Sequence, residues 1–226
     1  MKAVIFSGTT EGRTLSRAVA ALGADVTVCV ATDLGAEEQG CAPGITVRAG
    51  RLDAGEMTAL LQGAALCVDA THPYATEATR NIRAAATAAG VAYHRLLRPA
   101  SDLPAGSVVL ETAAQAAAYL AAKPGNVLLA TGAKELPAFA ALDPARLYPR
   151  VLPTLAGITA CEAAGIPHRN IIAMQGPFTL ELNVALLRQF AIAAMVTKDG
   201  GAAGGFAEKA EAAARCGVQL IVLRRP

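Results

Sequence analysis

Two short polar stretches concentrate the residue types that do chemistry. Asp69, His72 and Tyr74 stand in one stretch, Asp69-Ala70-Thr71-His72-Pro73-Tyr74-Ala75. They bring together a carboxylate, an imidazole and a phenol, groups that hold a substrate or deliver a proton near neutral pH. The second stretch, Ser7-Gly8-Thr9-Thr10-Glu11-Gly12-Arg13, combines two glycines, two hydroxyls, an acid and a cation. Glycine lets backbone approach a phosphate, a threonine hydroxyl caps a helix, and arginine neutralises an anion, so the chemistry indicated is nucleotide or phosphate binding. The spacing matches neither the three-glycine dinucleotide fingerprint nor a Walker loop: three residues separate Gly8 from Gly12, and an arginine follows in place of lysine. A third set is spread along the second half. Lys134, Arg150 and Lys198, the last followed by Asp199, offer cations suited to a ligand with several carboxylates. Gly200, Gly201, Gly204 and Gly205 follow, a composition for flexibility or for close backbone contact with a ligand.

Other chemistries lack their residues. The chain has four serines and no G-x-S-x-G, and its three histidines show no metal-ligand spacing. The five cysteines are scattered and never form a C-x-x-C pair, which suits a reducing compartment and no metal site.

The elements that must position these groups follow from periodicity. Short β-branched runs at 3–6, 25–31, 45–48, 66–70 and 93–97 predict strands, separated by helices near 11–22, 56–61 and 74–89. The residues 98–106 then contain two prolines and a glycine with no period, and 99–106 reads as a hinge between domains 1–98 and 107–226. Beyond it the alternation resumes, with strands expected at 108–111, 127–130, 147–151, 171–174, 194–197 and 220–223 and helices at 113–121, 158–164, 180–189 and 206–215. The expected class is α/β: two Rossmann-like halves built on parallel sheets, with a ligand cleft between them. In such sheets ligands gather at the carboxyl ends of strands, where every stretch named above falls. Asp33, after the second run, stands where an acid reads the adenosine ribose and favours NAD. Arg51, after the third, would meet a 2′-phosphate and favours NADP, and the choice stays open.

Composition narrows the partners. Twenty Lys plus Arg against eighteen Asp plus Glu give a formal charge of +2, which argues against a nucleic-acid or anionic-membrane surface. Aromatic residues are only 4% of the chain, too few for base-stacking platforms. The hydrophobic fraction of 54% is inflated by 53 alanines, and the longest uncharged run, 57–68, is far short of the roughly 20 residues of a membrane span. The opening residues enter a strand-like run without a leader pattern, so a cytoplasmic location is expected. Nothing in the pattern bears on oligomeric state.

Six stretches in register, 7–13, 69–75, Thr131-Gly132-Ala133-Lys134, Arg150-Val151-Leu152-Pro153, Gln175-Gly176-Pro177-Phe178 and Thr197-Lys198-Asp199, with the closing Leu223-Arg224-Arg225-Pro226, resemble the precorrin-6A reductase family of cobalamin biosynthesis. The resemblance covers essentially the whole chain. It implies reduction of one double bond of a carboxylate-rich tetrapyrrole, precorrin-6A or its cobalt form, to the 6B form by hydride from NADPH or NADH. It assigns the cofactor phosphates to Gly8, Thr9, Thr10, Glu11, Gly12 and Arg13, while Asp33 and Arg51 stay candidates for the ribose on their position after strands alone. The macrocycle goes to Asp69, His72, Tyr74, Lys134, Arg150, Lys198 and Asp199, with Tyr74, His72 and then Lys198 as candidate proton donors or orienting groups. The chain departs from the family at Gly200, where members often carry serine. Two other readings remain in view: a Rossmann-type sensor that binds NADP without turnover, and a phosphoryl-transfer enzyme, which the missing lysine and paired acids disfavour.

Overall fold

Runs such as Val26-Thr27-Val28 and Leu220-Ile221-Val222 have neither the length nor the period for helices, and they extend. In the computed structural model, which describes residues 1–226, they form two wholly parallel sheets in two units, Met1–Arg98 and Pro99–Pro226.

In the first unit, β1 (Lys2–Phe6), β2 (Asp25–Val30), β3 (Ile45–Ala49), β4 (Leu66–Asp69) and β5 (Tyr93–Arg95) lie in the order β3-β2-β1-β4-β5. The order reverses at β1, the switch point where a Rossmann-like sheet opens toward ligands. Helices α1 (Thr10–Ala21), α2 (Asp33–Gln39), α3 (Ala54–Leu61) and α4 (Thr76–Ala89) cover its faces. One face is sealed by Phe6, Cys29, Leu61 and Ile82, and the other by Ile5, Val26, Val28 and Val68. Register places Phe6 beside both Cys29 and Asp69, so the loops after β1, β2 and β4 leave from one edge.

The second unit orders β6 (Val108–Leu110), β7 (Asn126–Ala130), β8 (Leu147–Val151), β9 (Ile172–Ala173), β10 (Ile192–Lys198) and β11 (Gln219–Leu223) as β6-β11-β10-β7-β8-β9. Its helices are α5 (Ala113–Ala121), α6 (Leu155–Ala163), α7 (Leu180–Gln189) and α8 (Phe206–Cys216). Alanines 113, 116 and 117 let α5 lie close on the sheet, and Leu128, Met195 and Phe206 fill the α7/α8 side. Thr197 pairs with Ala130, so Lys198 and Thr131 emerge side by side. No helix is long and apolar enough to cross a membrane.

Three differences from the expected elements have physical causes. Asp33–Gln39 is a helix, capped by Thr32, whose hydroxyl accepts from Gly35 N at 3.1 Å; its length of about two turns and its internal glycine hide the period. Helix α4 begins at Thr76, two residues later than the sequence pattern suggests, because Pro73 and Tyr74 are taken up in a turn closed by Ala75 N donating to His72 O. Residues 133–139 form a 3₁₀ segment around Pro137, whose ring cannot continue an α-helix. The aperiodic segment 99–106 belongs to the second unit: Asp199 accepts from Ser101 N and Oγ at 3.1 and 2.8 Å, and Arg225 donates to Pro99 O at 3.0 Å.

Candidate functional site

At the carboxyl edge of the first sheet the loop after β1 is tied to the loop after β4. Thr9 caps α1 by accepting from Gly12 N at 3.1 Å, and donates its hydroxyl proton to Ala70 O at 2.9 Å. Gly12 is where the two loops touch: a Cβ there would stand 2.5 Å from Ser7 Oγ and 2.9 Å from Ala70 Cβ. Gly8, at φ +131°, turns the chain with open space beside it, so backbone is available to a ligand. Half-buried Arg13 donates to Glu38 O at 2.7 Å, and Glu11 pairs with Arg98 at 2.6 Å. Asp33 is exposed in the first turn of α2. Arg51 is exposed two residues beyond β3, at the ends of strands that pair through Val30 and Ala49.

Asp69 is turned inward. Its fully buried carboxylate accepts from Thr71 N and Oγ1 at 3.0 and 2.7 Å, from Tyr93 OH at 3.1 Å and from Arg95 at 2.8 Å. Arg95 also donates to the carbonyls of Asp69, Thr71 and His72. That knot fixes the turn carrying His72 and Tyr74, both half-buried, with ring centroids 5.5 Å apart and Tyr74 N donating to His72 Nδ1 at 3.4 Å.

In the second unit, Lys198 Nζ lies 2.7 Å from Glu135 Oε1, linking the ends of β10 and β7. Lys134, one residue earlier than Glu135, is exposed. Thr131 is 8% exposed and its hydroxyl has no partner, the orphaned donor expected beside a ligand site. Asp199 is internal like Asp69. Burial pushes its pKa up, but the hydrogen bonds from Ser101 and Gly201 and the charge of Arg225, 3.0 Å away, outweigh it and hold the carboxyl below its ordinary value. Arg150 is 8% exposed, lies over the Phe178 ring at 4.1 Å and donates to Asn183 Oδ1 at 2.8 Å; burial pushes its pKa down to about 10. At Gly200 a Cβ would meet Gly204 Cα at 3.2 Å, so a serine there requires Gly204 to give way.

A family model described as precorrin-6x reductase CbiJ/CobK matches residues 2–226. The chain belongs to that family. A cobalt-precorrin-6A reductase of Priestia megaterium is 37% identical over 230 residues, covering 99% of this chain and 90% of the relative. The cobalt-precorrin-6A reductase of Salmonella typhimurium is 35% identical over 229 residues, covering 99% and 87%. A solved structure titled CobK precorrin-6A reductase superposes with TM-score 0.79 at 26% identity, over all of this chain and 88% of the other.

In this CbiJ/CobK chain the groups that the sequence motifs leave out are Arg95, Asn183 and Lys209, while Thr131 stands in, and Glu135 directly after, a stretch the pattern marks without a role for either. Arg95 meets its partners 23 to 26 residues away, and Asn183 reaches Arg150 from 33 residues away. Lys209 carried a legible signal: it falls three residues after Phe206, on the face of α8 that Ala210 and Ala213 continue inward.

Proposed function

We propose that the chain reduces one double bond of the precorrin-6A macrocycle, with or without cobalt, to the 6B form in cobalamin biosynthesis. The observation that carries this reading is the full-length match to reductases of those names. A reduced nicotinamide nucleotide, NADPH in preference to NADH, supplies the hydride when bound. The open backbone at Gly8 and the first turn of α1, packed close at Gly12 and with Thr9, Thr10, Glu11 and Arg13 around them, are fitted to receive its phosphates. Arg51 offers charge to a 2′-phosphate, and Asp33 lies near the same strand ends.

Lys134, Arg150 and Lys198 hold carboxylates of the tetrapyrrole. His72 and Tyr74 bring a proton to an atom next to the one reduced, with Lys198, oriented by Glu135, as the third candidate. Asp69 and Asp199 position the loops and do not touch the ring. The chain contributes orientation and exclusion of water. The test is a nicotinamide absorbance assay on the purified protein with NADPH or NADH, to which precorrin-6A or its cobalt form is added. Oxidation that depends on the macrocycle is the expected result. Cofactor binding without oxidation under either substrate favours a sensor and ends this reading.

A further inference from the structure

Beneath α7 and α8 the second unit holds two buried cations, neither of them in an ion pair. Lys209 is 8% exposed, and its ammonium makes no hydrogen bond or ion pair. Arg150 is equally buried, and its one hydrogen-bond acceptor is the neutral amide oxygen of Asn183. The nearest acids are otherwise placed: Asp199 is committed to Arg225, Ser101 and Gly201, and Glu208 pairs with neither cation and leaves Oε2 buried without a partner. Burial, then the charge of Arg150, pushes the Lys209 pKa down to about 8, with Glu208 and Asp199 pulling the other way.

The backbone adds to the imbalance. Side chains on a helix lean toward its N-terminus, so Lys209 reaches back over the first turn of α8. That turn starts at Gly205, with no side-chain cap and with the positive end of the helix dipole. The carboxylate at that end, Glu208, whose Oε2 stands 3.6 Å from the Gly205 Cβ position, forms no ion pair with Lys209, and a cation buried there is unfavourable unless an anion pairs with it. Neither cation is sealed, since Lys209 Nζ and the Arg150 nitrogens are absent from the fully enclosed atoms without partners, which are Ser107 Oγ, Thr131 Oγ1 and Glu208 Oε2.

We propose that Arg150, Lys209 and the first-turn amides of α8 form a receptor for one oxyanion of a bound ligand, a carboxylate of the macrocycle or a phosphate of the nucleotide. The identity of the ligand rests on the proposed function; the existence of the receptor does not. Phe178, stacked on Arg150, and Asn183, which also donates to Phe178 O and Thr179 O, fix the guanidinium for a two-point contact.

The experiment compares the full chain with Lys209→Met, Lys209→Gln and Lys209→Arg. Inorganic phosphate and citrate are titrated against the midpoint of thermal unfolding. The wild type and Lys209→Arg are expected to be stabilised in a saturable way. Lys209→Met and Lys209→Gln are expected to melt at an equal or higher temperature without anion, and to need about ten-fold more anion for the same rise. In turnover, a macrocycle KM raised about ten-fold at unchanged NADPH affinity assigns the oxyanion to a substrate carboxylate, and the converse to a cofactor phosphate. If both neutral variants melt lower than wild type without anion and keep its anion response, KM and NADPH affinity, Lys209 is a packing residue and the proposal is overturned. If the wild type never oxidises a nicotinamide, the functional reading fails, and the anion titration alone decides the receptor.

Discussion

The fully buried Asp69 carboxylate lies 2.8 Å from the Arg95 guanidinium, 26 residues away in sequence, and this pair holds the turn that presents His72 and Tyr74. Asp69→Asn keeps the shape and removes the charge, leaving Arg95 without a counter-ion. Removing one partner of a buried pair costs about 3–5 kcal/mol. Urea unfolding is expected to show a loss of that order, with kcat/KM falling as the turn loosens. Wild-type stability in Asp69→Asn would mean that the turn is held by other contacts.

The junction of the first two loops depends on size as much as on hydrogen bonding. Thr9→Ala removes the cap on Gly12 N and the bond to Ala70 O, a loss of about 1–2 kcal/mol. Gly12→Ala places a methyl group 2.5 Å from Ser7 Oγ and pushes the loops apart, costing about 1–3 kcal/mol. Calorimetry measures both losses. Titration with NADPH is expected to show weaker binding in each, because the displaced backbone is the part assigned to the phosphates.

Lys198 and Glu135, 2.7 Å apart, have side chains 18% and 30% exposed. A pair with that much solvent contributes little to folding, so Lys198→Met is expected to change stability by less than about 1 kcal/mol. Its kcat/KM is expected to fall at least about ten-fold, since the lost cation is one of those proposed to hold the macrocycle. Steady-state kinetics alongside urea unfolding separates the two effects, and an unchanged kcat/KM removes Lys198 from the site.

Lys209 gives the protein a distinctive alkaline signature. Its pKa is lowered from 10.5 to about 8 by burial and by Arg150, against the pull of Glu208 and Asp199. Below pH 8 the lysine is charged in both states and the burial penalty is fully present. Between about 8 and 10.5 the unfolded chain binds more protons, so stability rises with pH, by up to ~3 kcal/mol. Lys209→Met is expected to flatten that rise in a series of urea unfolding curves. A bound oxyanion restores the lysine's affinity for its proton and moves the rise to higher pH.

The strands were legible because parallel strands buried on both faces are written as continuous β-branched runs, as in Val26-Thr27-Val28, with polar residues at the ligand edge. That same edge made Gly8, His72 and Lys198 visible as loop residues after strands. Helix α2 was hidden by its length, and the start of α4 by Pro73, which fits a first helical turn and the preceding turn equally well. Side-chain direction was the larger loss. Asp69 and Asp199 look like ligand-facing acids at strand ends, yet both point inward, because their partners Arg95, Arg225 and Ser101 are brought to them only by folding. Lys209 sits in Phe206-Ala207-Glu208-Lys209-Ala210-Glu211, where flanking charges imitate a solvated face.

The central claim is hydride transfer to the macrocycle, and a label tests it most directly. The protein is incubated with precorrin-6A or its cobalt form and with NADPH carrying deuterium on either face of the nicotinamide, and the product is weighed by mass spectrometry. The expected product is a reduced macrocycle that carries one deuterium from one of the two labelled faces. An unreduced macrocycle with intact cofactor, or a reduced product without label from either face, would contradict it.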